Sequence, residues 1–211
     1  MTDDRLAMPY RSPGSLARIG RFTCPLLLLF LLAACQTTHP TVSSGQLPSK
    51  HPKPAISGPD LEKRIHAMIN RERTAHGLSP LAWDEALSRI ARGHSKDMAG
   101  RDFFSHDSPE SRDFLFRYRQ QGYTCALRIG NTIHTGAENI ALNSLYRSIT
   151  TINSVAYPEW NTAEQIALST VQGWMNSRGH RKNILTPHWR NQGIGVFISA
   201  DDKVYITQNF C

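Results

Sequence analysis

Apolar residues recur along most of this chain with the spacing of helices, and with the spacing of strands only towards its end. From Asp60 to about His76, Leu61, Ile65, Met68 and Ile69 fall on one helical face, with Pro59 and Asp60 as a start signal and Gly77 as a stop. A second helix is predicted after Trp83, capped by Asp84, with Leu87, Ile90, Ala91, His94 and Met98 along its stripe and an end near Gly100. Ser108 or Asp107 is the expected cap of a third, from Pro109 to Gln121, stopped by Gly122. A fourth runs from Asn161 to about Ser177. Asn161 with Glu164 makes a capping-box pattern there, and Ile166, Ala167, Val171, Trp174 and Met175 form its buried face. The period changes to two over Gly193 to Ser199 and Lys203 to Phe210, which the polar turn Ala200-Asp201-Asp202 joins into a hairpin with Val204, Ile206, Gln208 and Phe210 on one face. A third strand is expected over Glu138 to Leu142. Three strands cannot make an α/β repeat, so the pattern predicts an α+β fold, a small antiparallel sheet covered by helices. The segment from Asn143 to Trp160 is polar with scattered apolar residues, and its pattern assigns it no element.

The N-terminal third differs in kind. Arg5, Arg11, Arg18 and Arg21 precede an uncharged apolar run from Phe22 to Ala34 that contains Pro25. Spanning a bilayer takes ~20 apolar residues, so this shorter run reads as a signal peptide over residues 1–34. It closes on Leu32-Ala33-Ala34-Cys35, which resembles the lipobox of bacterial lipoproteins and makes Cys35 the candidate lipidation site. An ordinary secretory signal with an incidental cysteine is the alternative. Residues 35–59 are Thr, Ser, Pro, Gly, Lys and His with few large apolar side chains, and read as a flexible tether. The folded domain is then 60–211. The expected placement is the cell envelope, attached to membrane by the lipid, and the outer membrane facing the periplasm in a double-membraned cell.

Composition adds limits. With 211 residues, 40% of them hydrophobic, there is enough chain for one good core. The formal charge is +7; losing residues 1–34 removes four arginines and two aspartates and leaves +5. That suits an anionic envelope surface, and it is too diffuse for nucleic acid, since no Lys/Arg run interleaves with aromatics. With Cys24 removed and Cys35 acylated, only Cys125 and Cys211 remain, and in an oxidising compartment they are expected to pair. Two free thiols too far apart to bond is the other reading.

Four blocks carry more specific information: Asn70-x-x-Arg73 with Leu78-x-Pro80-Leu81-x-Trp83; His94-Ser95-x-x-Met98 with Phe104-Ser105-His106; Gly136-Ala137-Glu138-Asn139-Ile140; and Trp174-Met175-x-Ser177-x-Gly179-His180-Arg181-x-Asn183-Ile184-Leu185. Followed by Gly193-Ile194-Gly195-Val196 and Gln208-x-Phe210, they resemble the bacterial branch of the CAP superfamily (cysteine-rich secretory, antigen 5 and pathogenesis-related proteins). The resemblance covers about residues 60–211. It implies an α-β-α sandwich, extracellular placement and a cleft carrying histidines and acidic groups, with the family's cleft histidine and glutamate falling on His106 and Glu138. The eukaryotic members' second glutamate falls near Asn176 and Ser177 and their last histidine near Tyr205, so that tetrad is incomplete here and His180 is the natural substitute. Arg181 is expected to tie down its loop through a carboxylate, Asn139 to hold the turn after Glu138, and Asn183 to cap the segment leading to Leu185.

Two imidazoles and a carboxylate are a recognised zinc set with an open position, so His106, His180 and Glu138 are also the tentative ligands of zinc or another divalent metal. They are equally the parts of a general acid/base pair. His94, on an apolar stripe, reads as a core histidine bonded to backbone. Ser105 and Ser177 lack any nucleophile elbow. Two functions follow as expectations: a module binding a small ligand, lipid, glycan or peptide in the His/Glu cleft, or a metal-assisted or acid/base hydrolase of an envelope polymer. The sequence does not decide whether there is turnover.

Overall fold

A computed structural model describes residues 52–211. The signal peptide, Cys35 and the tether up to His51 lie outside the described residues. The first helix, α1, spans Gly58–Ala75 and is capped by Ser57, whose hydroxyl accepts from the Asp60 amide. It starts inside the segment read as tether. The residues just before it are also engaged: Ile56 packs against the core and Lys53 pairs with Asp202.

A two-residue strand β1, Ala82–Trp83, leads into α2, Glu85–Gly100, with Asp84 accepting from the amides of Ala86 and Leu87 as its cap. Helix α3 is Phe114–Gln120. It begins later than Pro109 because Ser108 to Arg112 close a turn of their own, with Ser111 at φ 58°, and Asp113 supplies the cap instead. Two hairpins follow that the hydrophobic pattern did not announce: β2, Leu127–Ile129, with β3, Thr132–His134; and, after β4 (Ala137–Ser144), β5, Tyr146–Ile152, with β6, Val155–Trp160. Helix α4 spans Ala163–Asn176, and its capping box is Thr162 with Gln165, one residue on from the expected pair. A short helix α5, Arg178–Ile184, comes directly after it. The chain ends on β7, Asn191–Ile198, and β8, Lys203–Phe210.

The main sheet has the order β1-β7-β8-β4, antiparallel except for β1 beside β7. Alternation along β8 sends Val204, Ile206 and Phe210 into the large core with Leu61, Ile65 and Ile69 of α1 and Ile166, Val171 and Trp174 of α4. The opposite face meets α2, where Met98 packs with Ile140 and Tyr205. The result is an α+β sandwich with helices on both faces of the sheet. Gly193 and Gly195 allow α2 to lie against β7: a Cβ on Gly195 would sit 2.0 Å from the Arg92 nitrogen, and one on Gly193 2.2 Å from that of Ser88. Cys125 and Cys211 form a disulfide that ties the start of the β2–β3 hairpin to the last residue.

Candidate functional site

Glu138 stands second in β4, on the face turned towards α2, and its side chain is 1% exposed. The strand's entry is fixed by Gly136, whose φ of 111° and 2.9 Å approach to the Phe210 carbonyl leave no room for a Cβ. A buried carboxylate needs partners for both oxygens. One oxygen accepts from Nδ1 of His106 at 3.0 Å and the other from Nη2 of Arg117 at 2.7 Å. The same Arg117 nitrogen donates to the His106 carbonyl at 2.9 Å, so one guanidinium holds the carboxylate and the histidine's backbone together.

His106 lies on the loop after α2 with 48% of its side chain exposed. Because its Nδ1–H is given to Glu138, its Nε2 is the nitrogen left to accept when the ring is neutral. His180, in the first turn of α5, places its ring 6.2 Å from that of His106. Partial burial lowers the His180 pKa, and the neighbouring His106 adds to the effect. The structure therefore brings His106 onto Glu138 and His180 beside His106, with the carboxylate buried and the His106 ring about half exposed.

His94 is buried and donates from Nε2 to the Ser105 carbonyl at 3.0 Å, so it does behave as a core histidine bonded to backbone. It also approaches the Glu138 carboxylate to 4.0 Å. Burial lowers its pKa more than the carboxylate raises it.

A line of amides, buried except for the half-buried Asn183, supports the site from the other face of the sheet. Asn183 donates to the Glu138 carbonyl and to Oδ1 of Asn139; Asn139 donates to Gln208, and Gln208 to Gln192. Asn139 also donates to the His180 carbonyl at 3.3 Å, which ties α5 to the strand that carries Glu138. Two expectations are corrected here. Asn139 is a strand residue and holds no turn; Asn183 sits within α5, and its side chain pins β4 rather than capping a following segment. Arg181, expected to meet a carboxylate, contacts Nε2 of His76. The Asn70 and Arg73 block is scaffold: Asn70 brackets the Leu81 backbone with two hydrogen bonds, and Arg73 donates to the carbonyls of Ser79, Ile184 and Thr186.

The tentative metal set does not fit this arrangement. Among the described residues no three His, Cys, Asp or Glu side chains form a group that could hold an ion. The physical reason is that Glu138 already has both oxygens committed, one of them to a guanidinium that would repel a cation. Arg117 was the functional residue missing from the sequence reading. Phe114, Arg117 and Tyr118 fall on one face of α3, but Leu115, Phe116 and Arg119 fall on another, so helical spacing alone does not single out Arg117.

The profile described as the cysteine-rich secretory protein family, CAP, matches residues 66–210. Two curated relatives are from Bacillus subtilis (strain 168). The uncharacterized membrane protein YlbC is 34% identical over 71% of this chain and 34% of its own length, and the uncharacterized protein YkwD is 33% identical over 66% and 43%. The chain thus spans less than half the length of the curated relatives it matches. Among solved structures, an extracellular protein containing an SCP domain from Bacillus anthracis str. Ames is 31% identical with a TM-score of 0.53, covering 72% of this chain and 40% of that one. An outer surface protein from Borrelia burgdorferi shares the fold, with a TM-score of 0.55 at 15% identity over 74% and 94% of the two chains. With residues 66–210, most of the folded region, under the profile, this chain belongs to the cysteine-rich secretory protein (CAP) family.

Proposed function

We propose that this is an envelope protein, anchored by lipid at Cys35, whose domain binds a polar ligand (a small molecule, lipid headgroup, glycan or peptide) between His106 and His180. The observation that carries the reading is the buried Glu138 carboxylate saturated by Arg117 and His106. It is a fixed support that orients His106 and leaves Nε2 for a ligand. Relatives named as membrane and extracellular proteins support the placement. A second reading keeps one specific support: a buried carboxylate on Nδ1 is also how an imidazole is oriented as a general base, which would make the site an acid/base hydrolase of an envelope polymer.

The test presents solubilised peptidoglycan fragments and phosphatidylglycerol vesicles to the purified chain and to its His106→Ala and His180→Ala variants. Retention of one probe intact, lost in both variants while their thermal midpoints stay near wild type, is the expected result. Cleavage of a probe by wild type but not by His106→Ala would establish the hydrolase instead. Equal retention by all three proteins would remove the cleft from the function. For the anchor, Cys35→Ser is expected to move the protein from membrane to soluble fractions, since acyl chains contribute ~0.8 kcal/mol per buried methylene.

A further inference from the structure

A concavity of about 500 Å³ lies between α2 and α3, with Arg117 in its lining, and the ligand reading above does not use it. Its walls include Arg89, Gly93 and His94 of α2, Arg112 from the turn before α3, and Phe116 and Arg117 of α3. The charges there are unbalanced. Both nearby carboxylates are taken by one residue: Arg101 holds Asp97 at 2.9 Å and Glu110 at 3.0 Å. Glu85, a turn before Arg89, is held by Arg92. Arg89 and Arg112 are left with no carboxylate in hydrogen-bond contact among the described residues, and Arg112 lies over the Phe116 ring at 4.8 Å.

Two further observations point the same way. Gly93 sits mid-helix, where glycine costs roughly 1 kcal/mol relative to alanine, yet a Cβ there would meet nothing within 4 Å. Packing against protein does not demand it, and its effect is to keep the cleft wall open. Among the described residues, His94, 1% exposed, has no partner for Nδ1, and the Nε of Arg117 likewise has none. Buried polar atoms without partners are uncommon and mark places where a further group belongs.

We propose that this cleft is a second binding site, taking a small organic anion: a carboxylate or phosphate group received by Arg89 and Arg112, on an apolar body lying along Ile90 and Phe116. Arginine suits this role because its planar fork of donors matches the oxygens of either anion. The site is separate from the His106 rim, although Arg117 and His94 border both.

The experiment is calorimetric titration of the full chain, in a neutral detergent, with phenyl phosphate and with benzoate, and with benzyl alcohol as the uncharged control. At least one anion is expected to bind saturably and benzyl alcohol is not. The double variant Arg89→Ala/Arg112→Ala should weaken binding at least ~10-fold, about 1.4 kcal/mol. Gly93→Leu, which fills the cleft from an open helix position, should weaken it as much while keeping a wild-type thermal midpoint. Absence of saturable binding by both anions, or binding unchanged in both variants, overturns the proposal. His106→Ala is expected to leave this affinity unchanged, so failure here and failure of the rim-site reading are distinguishable.

Discussion

The Glu138 carboxylate decides the character of the site, because two donors arrive at it from different elements and it is itself buried. Glu138→Gln keeps the shape but offers one acceptor where two are needed and points an NH2 group at a donor. It also leaves the partly buried Arg117 guanidinium without its counter-charge. Removing one partner of such a pair is expected to cost about 3 kcal/mol, measurable by denaturant unfolding; a loss under ~0.5 kcal/mol would show that the cluster is solvated and not structural. Zinc added at one equivalent is expected to leave the thermal midpoint unchanged, and a stoichiometric rise would return a metal to the cleft. His106, Glu138 and His180 were legible as candidates through their motif blocks. Arg117 was not, because within Phe-Leu-Phe-Arg-Tyr-Arg-Gln two arginines alternate with aromatics and nothing in the spelling separates the buried one from the solvated Arg119.

At the scale of elements, the contact between α2 and β7 leaves no room for a side chain at Gly193 or Gly195. Gly195→Ala would drive a Cβ into the helix backbone near Arg92, where no side chain can turn aside, and is expected to cost about 3 kcal/mol through overpacking. Trp174→Ala, which empties the core and strands the Ile140 carbonyl that its indole bonds at 2.9 Å, should cost ~3–5 kcal/mol. Both are read from the midpoint of urea unfolding, and a neutral Gly195→Ala would mean that α2 can lift off the sheet. The elements legible in the sequence were those with local signals: the Asp84 cap, the α4 stripe and the β7–β8 hairpin. The β5–β6 hairpin had none. Tyr146 to Trp160 has scattered apolar residues without a period of two and carries Pro158 within β6, which speaks against a strand unless it is at an edge. Helix α5 was missed because it runs on from α4 across the single residue Ser177.

At the scale of the whole molecule two long-range constraints act on stability. The Cys125–Cys211 bond closes a loop of 86 residues and holds the terminus, whose carbonyl accepts from the amides of Arg190 and Asn191. Its reduction should lower the thermal midpoint by roughly 5–10 °C, from a chain-entropy contribution of ~4 kcal/mol less relaxation. The second constraint is protonic. His66, His94, His180 and His188 all have pKa values lowered below the ordinary histidine value, each chiefly by burial. In the unfolded chain these rings take up protons near pH 6.5, whereas in the folded protein they stay neutral to lower pH. The unfolded state therefore binds more protons in that window, so stability falls as pH falls through about 6.5 and is fully present above it. The thermal midpoint is expected to drop steadily from pH 7.5 to pH 5. His94→Gln, which removes a buried ring but keeps a donor for the Ser105 carbonyl, should make that slope shallower. A midpoint that holds or rises on acidification in the wild-type protein would mean that the buried histidines gain partners when charged, and that Glu138 rather than burial governs His94.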